Sequence, residues 1–221
     1  MTIALIDADI VAYRCAAASE NDPLDIALLR TDKLMRDIIS ETGASGYLSF
    51  LSGPNNFRKE IYPEYKANRK DTVDPIHRQA CKQFLCYEWN ASVSDGYEAD
   101  DALGIYQNEE TVICSIDKDL LMIPGNHYNF VKKEFCSVDE LEGLRSLYRS
   151  ALVGDKADNI HGVRGIGKVK AAKLIDVLTD EKDMYNTCCK LYNDPERLDM
   201  NLDCLWIFRN LNERWSDRFP C

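Results

Sequence analysis

The sequence predicts an α/β protein with a mainly parallel central sheet over residues 1–136 and a smaller helical part over 137–221. Three observations predict it. Short β-rich apolar runs alternate with segments of helical periodicity. Several of those runs end in an aspartate. From Ser137 onward the pattern is all helix, broken by the glycine-rich stretch GVRGIG at 162–167.

Residues 2–7 (TIALID) form a short apolar strand ending in an acid, and IVAYRCAAA after it is helical. Residues 24–41 carry Ile26, Leu29, Leu34 and Ile38 at helical spacing. Gly43 and Gly46 then lead into YLSFL, a second buried strand. A polar loop runs into FRKEIYPEYKANRK, dense in Arg, Lys and Tyr with little apolar periodicity. Residues 74–88 predict a helix with Pro75 in its first turn. ASVSD is a short strand, YEADDALGIYQN a helix opening with acids, TVICSID a strand ending in an acid, and HYNFV a further strand.

Of the 221 residues 45% are hydrophobic, enough for one sizeable core with a small appended domain. The apolar start is too short to span a membrane and is interrupted by Asp7 and Asp9, so the chain is expected to work in the cytoplasm, as a monomer and away from membranes. Nine cysteines form no CxxC pair and no zinc-spaced cluster. Cys15, Cys81, Cys86, Cys114, Cys136 and Cys204 sit among apolar neighbours, and Cys188 and Cys189 are adjacent, so reduced structural thiols are expected.

Acids recur at telling places. Asp7 ends the first strand; Glu98, Asp100 and Asp101 open a helix; Asp117 and Asp119 follow a strand; Asp155 and Asp158 lie in GDKADN. Strand carboxyl ends of an open α/β sheet share one edge, where sites are built, which would bring Asp7 and Asp117 together. Carboxylates about 4 Å apart repel by roughly 4 kcal/mol at an effective dielectric near 20, so the set calls for cations. Oxygen-only ligands favour Mg²⁺, with Mn²⁺ as a substitute, and two such ions suit phosphodiester hydrolysis. Asp9 reads as an ordinary helix-start residue and stays outside the set. Asp119 and Asp158, taken singly, read equally well as caps or loop acids.

The net charge of −10 argues against a nucleic-acid partner until its distribution is read. Arg58, Lys59, Lys66, Arg69 and Lys70 face only Glu60 and Glu64, interleaved with Tyr62 and Tyr65, a pattern suited to single-stranded DNA. The second basic patch is GVRGIGKVKAAKLI, where Gly165 and Gly167 precede a helix start that can hold a phosphate through backbone N–H groups. Arg164, Lys168, Lys170 and Lys173 add positive charge there.

The blocks IDADIVAYR, FRKEIYPEYKANRK, GYEADDALG, SIDKDLL and GDKADNIHGVRGIGKVKAAKLI resemble, in order and spacing, those of the 5′-nuclease family. That family includes flap endonucleases, the 5′-nuclease domains of bacterial DNA polymerase I, and phage exonucleases. The resemblance implies a PIN-like nuclease core with a helical arch at about 57–90. It also implies a helix-hairpin-helix (H3TH) DNA-binding motif at about 153–178. It implies one metal near Asp7, Glu98 and Asp100, and a second near Asp117, Asp119, Asp155 and Asp158, with Asp101 adjacent and counted among the ligands. It makes Lys66 and Arg69 contacts to the scissile phosphate, Tyr65 a stacking platform, and Arg58 and Lys70 part of the DNA surface. Backbone carbonyls around Val163 and Ile166 would hold K⁺. One acid that the family carries after the second strand is missing from LSFLSGPNN, leaving Ser52 or Asn55 as a neutral replacement.

The expected function is a structure-selective 5′-nuclease of DNA replication or repair. It would hydrolyse DNA at 5′ ends, flaps or nicked duplex by a two-metal-ion mechanism, with Asp7, Asp100, Asp117 and Asp155 catalytic beside Lys66 and Arg69. Two alternatives stand beside it: a DNA-binding module of the same fold with lost catalysis, and a PIN-like ribonuclease.

Overall fold

A computed structural model describes residues 1–70 and 72–218. The chain runs β1 (Ile3–Asp7), α1 (Ala8–Ala17), α2 (Leu24–Thr42), β2 (Gly46–Ser52), α3 (Arg58–Ile61), α4 (Arg78–Glu88), β3 (Ser92–Ser94), α5 (Ala99–Tyr106), β4 (Thr111–Cys114), β5 (Gly125–Asn129) and β6 (Glu134–Val138). The six strands stand in the order β3-β2-β1-β4-β5-β6, every neighbouring pair parallel except β5–β6. Beyond the sheet come α6 (Glu140–Val153), a two-stranded ribbon of β7 (Gly154–Asp155) and β8 (Ile160–His161), α7 (Lys168–Ile175), α8 (Glu181–Tyr192), α9 (Pro195–Leu205) and α10 (Trp215–Arg218).

The mainly parallel sheet is as the alternation predicts. β1 reads as a continuous apolar run because both its faces are covered. Ala4 and Ile6 point into a core with Val11, Met35, Ile38 and Leu85 of α1, α2 and α4. Leu5 points the other way, into a core with Leu103, Leu147, Leu152 and Trp206. The strand order turns back on itself between β1 and β4, which sets the carboxyl ends of both beside the same crevice.

Four expectations change. β6 extends the sheet to Val138, so the helical part starts at Glu140, with Asp139 as the N-cap of α6. Its residues are nearly all exposed, so no alternation marked it in the sequence. The 74–88 helix starts only at Arg78, with Pro75 one turn earlier. Within 57–90 the described residues form no free-standing helical arch. α4 packs into the α1/α2 layer through Cys81 and Leu85, and the loop between α3 and α4 is fastened down. Cys136 is exposed on β6 rather than embedded among apolar neighbours, and the described cysteines are all free. Cys221 lies outside the described residues. Among those residues no helix is long and apolar enough to cross a membrane.

One buried ion pair joins the parts. The Arg58 guanidinium grips Asp101 of α5 with two hydrogen bonds, Nη1–Oδ2 at 2.6 Å and Nη2–Oδ1 at 2.7 Å. It also donates to the carbonyls of Cys204 (2.8 Å) and Trp206 (2.6 Å) at the end of α9. Asp101 accepts the backbone N–H groups of Glu98 and Phe208 as well. At Gly104, one turn further along α5, a Cβ would stand 2.2 Å from the Phe208 carbonyl, so only glycine admits this approach. Truncation of one buried partner leaves an uncompensated charge, so Arg58→Ala should cost about 3–5 kcal/mol of stability, read as a lowered urea midpoint with unchanged slope.

Candidate active site

Asp7 closes β1 and caps α1, its Oδ1 accepting the Ile10 N–H at 3.1 Å. Its Oδ2 accepts the Ser115 hydroxyl at 2.7 Å. Ser115, just past β4, in turn accepts the Asp117 N–H at 3.0 Å, and Asp117 accepts the Asp119 N–H at 2.9 Å. The first acidic strand end is thus tied to the second through a serine. α5 begins at Glu98, its N-cap, so Asp100 projects toward the crevice while Asp101 turns inward. From the helical side, Asp155 on β7 and Asp158 on the β7–β8 turn complete the wall.

These residues line one cleft of about 860 Å³: Asp7, Glu98, Asp100, Asp117, Asp119, Asp155 and Asp158, with Lys66 and Arg69 opposite them. Asp101 does not belong to it. Fully buried and saturated by Arg58 and two backbone N–H groups, it has no lone pair facing the cleft, which corrects its place among metal ligands. Arg58 is 2% exposed and Tyr65 is 3% exposed, so neither offers a surface to DNA. The Tyr65 hydroxyl lies within hydrogen-bond reach of Glu98 (3.0 Å) and Asp158 (2.8 Å) and positions both carboxylates instead.

Lys66 pairs with Glu98 and lies 3.7 Å from Asp158, while Arg69 holds Asp158 at 2.6 Å. Three hydrogen bonds to carbonyls bind this loop to the β7–β8 turn: the Lys66 N–H to Asp158, the Asn68 side-chain amide to Lys156, and the Arg69 guanidinium to Ala157. Lys66 itself is held at φ 56°, the left-handed region, a strained conformation that the surrounding bonds enforce. Lys70 follows, exposed. The hairpin after β8 turns at Val163–Ile166, where the Ile166 N–H reaches the Val163 carbonyl at 3.1 Å and Gly165 takes φ 80°. Gly167 is the N-cap of α7, and Lys168 and Lys170 stand exposed on its first turn.

Sequence reading passed over three residues. Asp9 lines the cleft, its Oδ2 accepting the Ser52 N–H at 2.7 Å and its Oδ1 lying 2.6 Å from Lys82 Nζ of α4. Ser115 is the third. A short polar spacing from Asp7 to Asp9 was the available signal, discounted because helix starts favour acids. Of the neutral replacements for the missing acid, Ser52 lines the cleft while its hydroxyl accepts the Ala99 N–H at 2.9 Å, and Asn55 donates to Asp95 at 2.7 Å.

Crowding shows in the protonation equilibria. Burial pushes Asp7 up to about 7, opposed by Ser115 and Ile10 and reinforced by Asp9 and Asp117. Burial, then the charges of Asp7, Glu98 and Asp117, raise Asp100 well above the usual carboxylate range. Among the described residues Asp100 has no hydrogen-bond or ion-pair partner. Burial and Asp117 push Asp119 up to about 6. Burial alone would raise Glu98, yet Lys66 and Arg58 outweigh it and hold the carboxyl low. Among the described residues no three acids converge closely enough to enclose an ion in this arrangement.

Acids at the carboxyl ends of a parallel sheet, with Lys66 and Arg69 among them, define a class: an α/β protein with an acid-lined cleft at the edge of its sheet. A family model for the 5′-3′ exonuclease N-terminal resolvase-like domain matches residues 2–148, and the chain belongs to that 5′-3′ exonuclease family. It is 31% identical over 229 residues to a 5′-3′ exonuclease of Mycoplasma genitalium, covering 88% of this chain and 78% of that one. It is 26% identical over 242 residues to DNA polymerase I of Caldicellulosiruptor bescii, where 96% of this chain matches 28% of the relative. The chain therefore spans about a quarter of the polymerase. Its fold is similar to that of the bacteriophage T5 5′-exonuclease with zinc bound, at a TM-score of 0.68 and 19% identity, covering 93% of this chain and 89% of the other.

Asp7 and Asp119 ionise at higher pH folded than unfolded, so the folded chain binds more protons between about pH 4 and 7 and this penalty is complete above pH 7. In chelator, the melting temperature should rise as pH falls from 8 to 6. Asp100→Asn, which removes an unpartnered charge worth on the order of 1 kcal/mol, should melt about 2–4 °C higher than the parent at pH 8 by calorimetry.

Proposed function

We propose that the chain is a divalent-cation-dependent 5′-nuclease that hydrolyses DNA phosphodiesters near a 5′ end or flap junction, leaving 5′-phosphates, in replication or repair. One observation carries the reading: seven acids from β1, α5, the β4 end and the β7–β8 ribbon line a single cleft that also holds Lys66 and Arg69. The donor set fits hard cations. It is made of carboxylates, with no histidine lining the cleft, and the thiol of Cys204 is kept neutral because burial pushes its pKa to about 12. Asp7, Glu98 and Asp100 would hold one Mg²⁺ or Mn²⁺ and Asp117, Asp119, Asp155 and Asp158 another. Bound there, they supply Lewis-acid stabilisation to the attacking and leaving oxygens.

The remaining work falls to the chain's own residues. Lys66 and Arg69 rest on Glu98 and Asp158, and an arriving phosphate competes for the same cations. Lys70, Lys168, Lys170 and the backbone N–H groups at Gly165 and Gly167 offer sequence-independent phosphate contacts. The Val163 and Ile166 carbonyls turn around a hairpin in which K⁺ would sit, the second lone pair of Val163 remaining available beside its turn hydrogen bond.

The test is a panel of flap, nicked, blunt and single-stranded DNA, with an RNA counterpart, each with and without Mg²⁺. Cleavage of 5′-ended DNA only with Mg²⁺ supports the reading. Binding without cleavage points to a module with lost catalysis, and preferential RNA cleavage to the ribonuclease alternative. Asp117→Asn and Asp155→Asn should each lower the single-turnover rate at least about 10²-fold while DNA affinity changes only a few-fold. Lys66→Ala should slow cleavage and reduce the salt slope of binding by about one.

A further inference from the structure

Lys82 enters the cleft from α4, on the α1 side, away from the acids that Lys66 and Arg69 engage. Its Nζ lies 2.6 Å from Asp9 Oδ1, and both side chains are four-fifths buried. The other Asp9 oxygen is fixed by the Ser52 N–H at 2.7 Å, so the carboxylate keeps its orientation whatever Lys82 does. Asp7 and Asp9 line the same cleft, two residues apart across the β1–α1 junction. The neighbouring cation, Arg78, is committed elsewhere, paired with Asp74 and lying over the Tyr13 ring. The end of β2 offers no acid; the Ser52 hydroxyl accepts the Ala99 N–H, and Asn55 donates its amide to Asp95. Asp9 is therefore the added carboxylate on this side of the cleft, and Lys82 is the cation set against it.

We infer that Lys82 is a resident counter-cation of the Asp7/Asp9/Asp100 side, a positioning residue that competes with a divalent ion there. Asp9 faces that ion whenever the ammonium moves off. An ion entering the Asp7 side must therefore displace a charge already in place, as one entering the other side must at Asp158, held by Arg69, and at Asp119, beside Lys118. The inference rests on the nuclease reading above and adds a built-in competitor at one of its two ion positions.

Calorimetric titration with Mn²⁺ in the absence of DNA tests it. Lys82→Met should tighten Mn²⁺ binding at one site about tenfold, Lys82→Gln should do the same, and Lys82→Arg, which keeps the charge, should leave it as in the parent. Asp9→Asn should weaken that site, and adding Lys82→Met to it should recover less than the single variant gains. Unchanged or weaker Mn²⁺ binding in both neutral Lys82 variants overturns the inference while leaving the nuclease reading standing. A parent chain that takes up no Mn²⁺ overturns both.

Discussion

The buried pair of Arg58 and Asp101 fixes the geometry on which the cleft depends. Two full charges removed from water are tolerable only when every oxygen and N–H finds a partner, and here they do, through each other and through backbone at Glu98, Cys204, Trp206 and Phe208. With Asp101 pulled inward, helical geometry turns its neighbour Asp100 about 100° away, toward the cleft. Glu98, three residues before Asp101, becomes the N-cap and reaches Lys66. One motif of adjacent acids thus divides its labour: one carboxylate holds the fold, one caps a helix, and one is left bare.

That bare carboxylate illustrates how the cleft is balanced. The parallel sheet delivers Asp7 and Asp117 to one edge, and Ser115 bridges the strand ends that carry them. The chain answers the resulting repulsion with cations drawn from the segment between β2 and β3: Lys66, Arg69 and Lys82. An acidic protein of net charge −10 thereby keeps local positive charge at the place where phosphate chemistry would occur.

Much of the fold was legible in the sequence because it obeys simple periodicities. IALID and TVIC are apolar on both faces, as buried parallel strands must be, and GYEADDALG starts a helix with acids as the dipole favours. β6 was not legible, since an exposed edge strand has no apolar face to advertise it. Within the site, the nearness of Asp7, Asp117 and the start of α5 followed from strand ends sharing an edge, while Asp119, Asp155 and Asp158 joined them only through the family resemblance. The roles of Asp101, Arg58 and Tyr65 did not, because sequence gives a side chain's chemistry but not the direction it faces, and burial reversed all three. Asp9 and Lys82 escaped for a related reason: they are 73 positions apart, and only the packing of α4 on α1 makes them a pair.

The cleft draws its walls from distant stretches of chain. Arg69 meets Asp158 across 89 positions, and Arg58 meets the Trp206 carbonyl across 148. A ribosome that has released only the sheet region has therefore made neither the far wall nor the anchor that seats it. The cleft stays without its anchor until the end of α9 has formed and the Arg58 guanidinium can reach the Cys204 and Trp206 carbonyls.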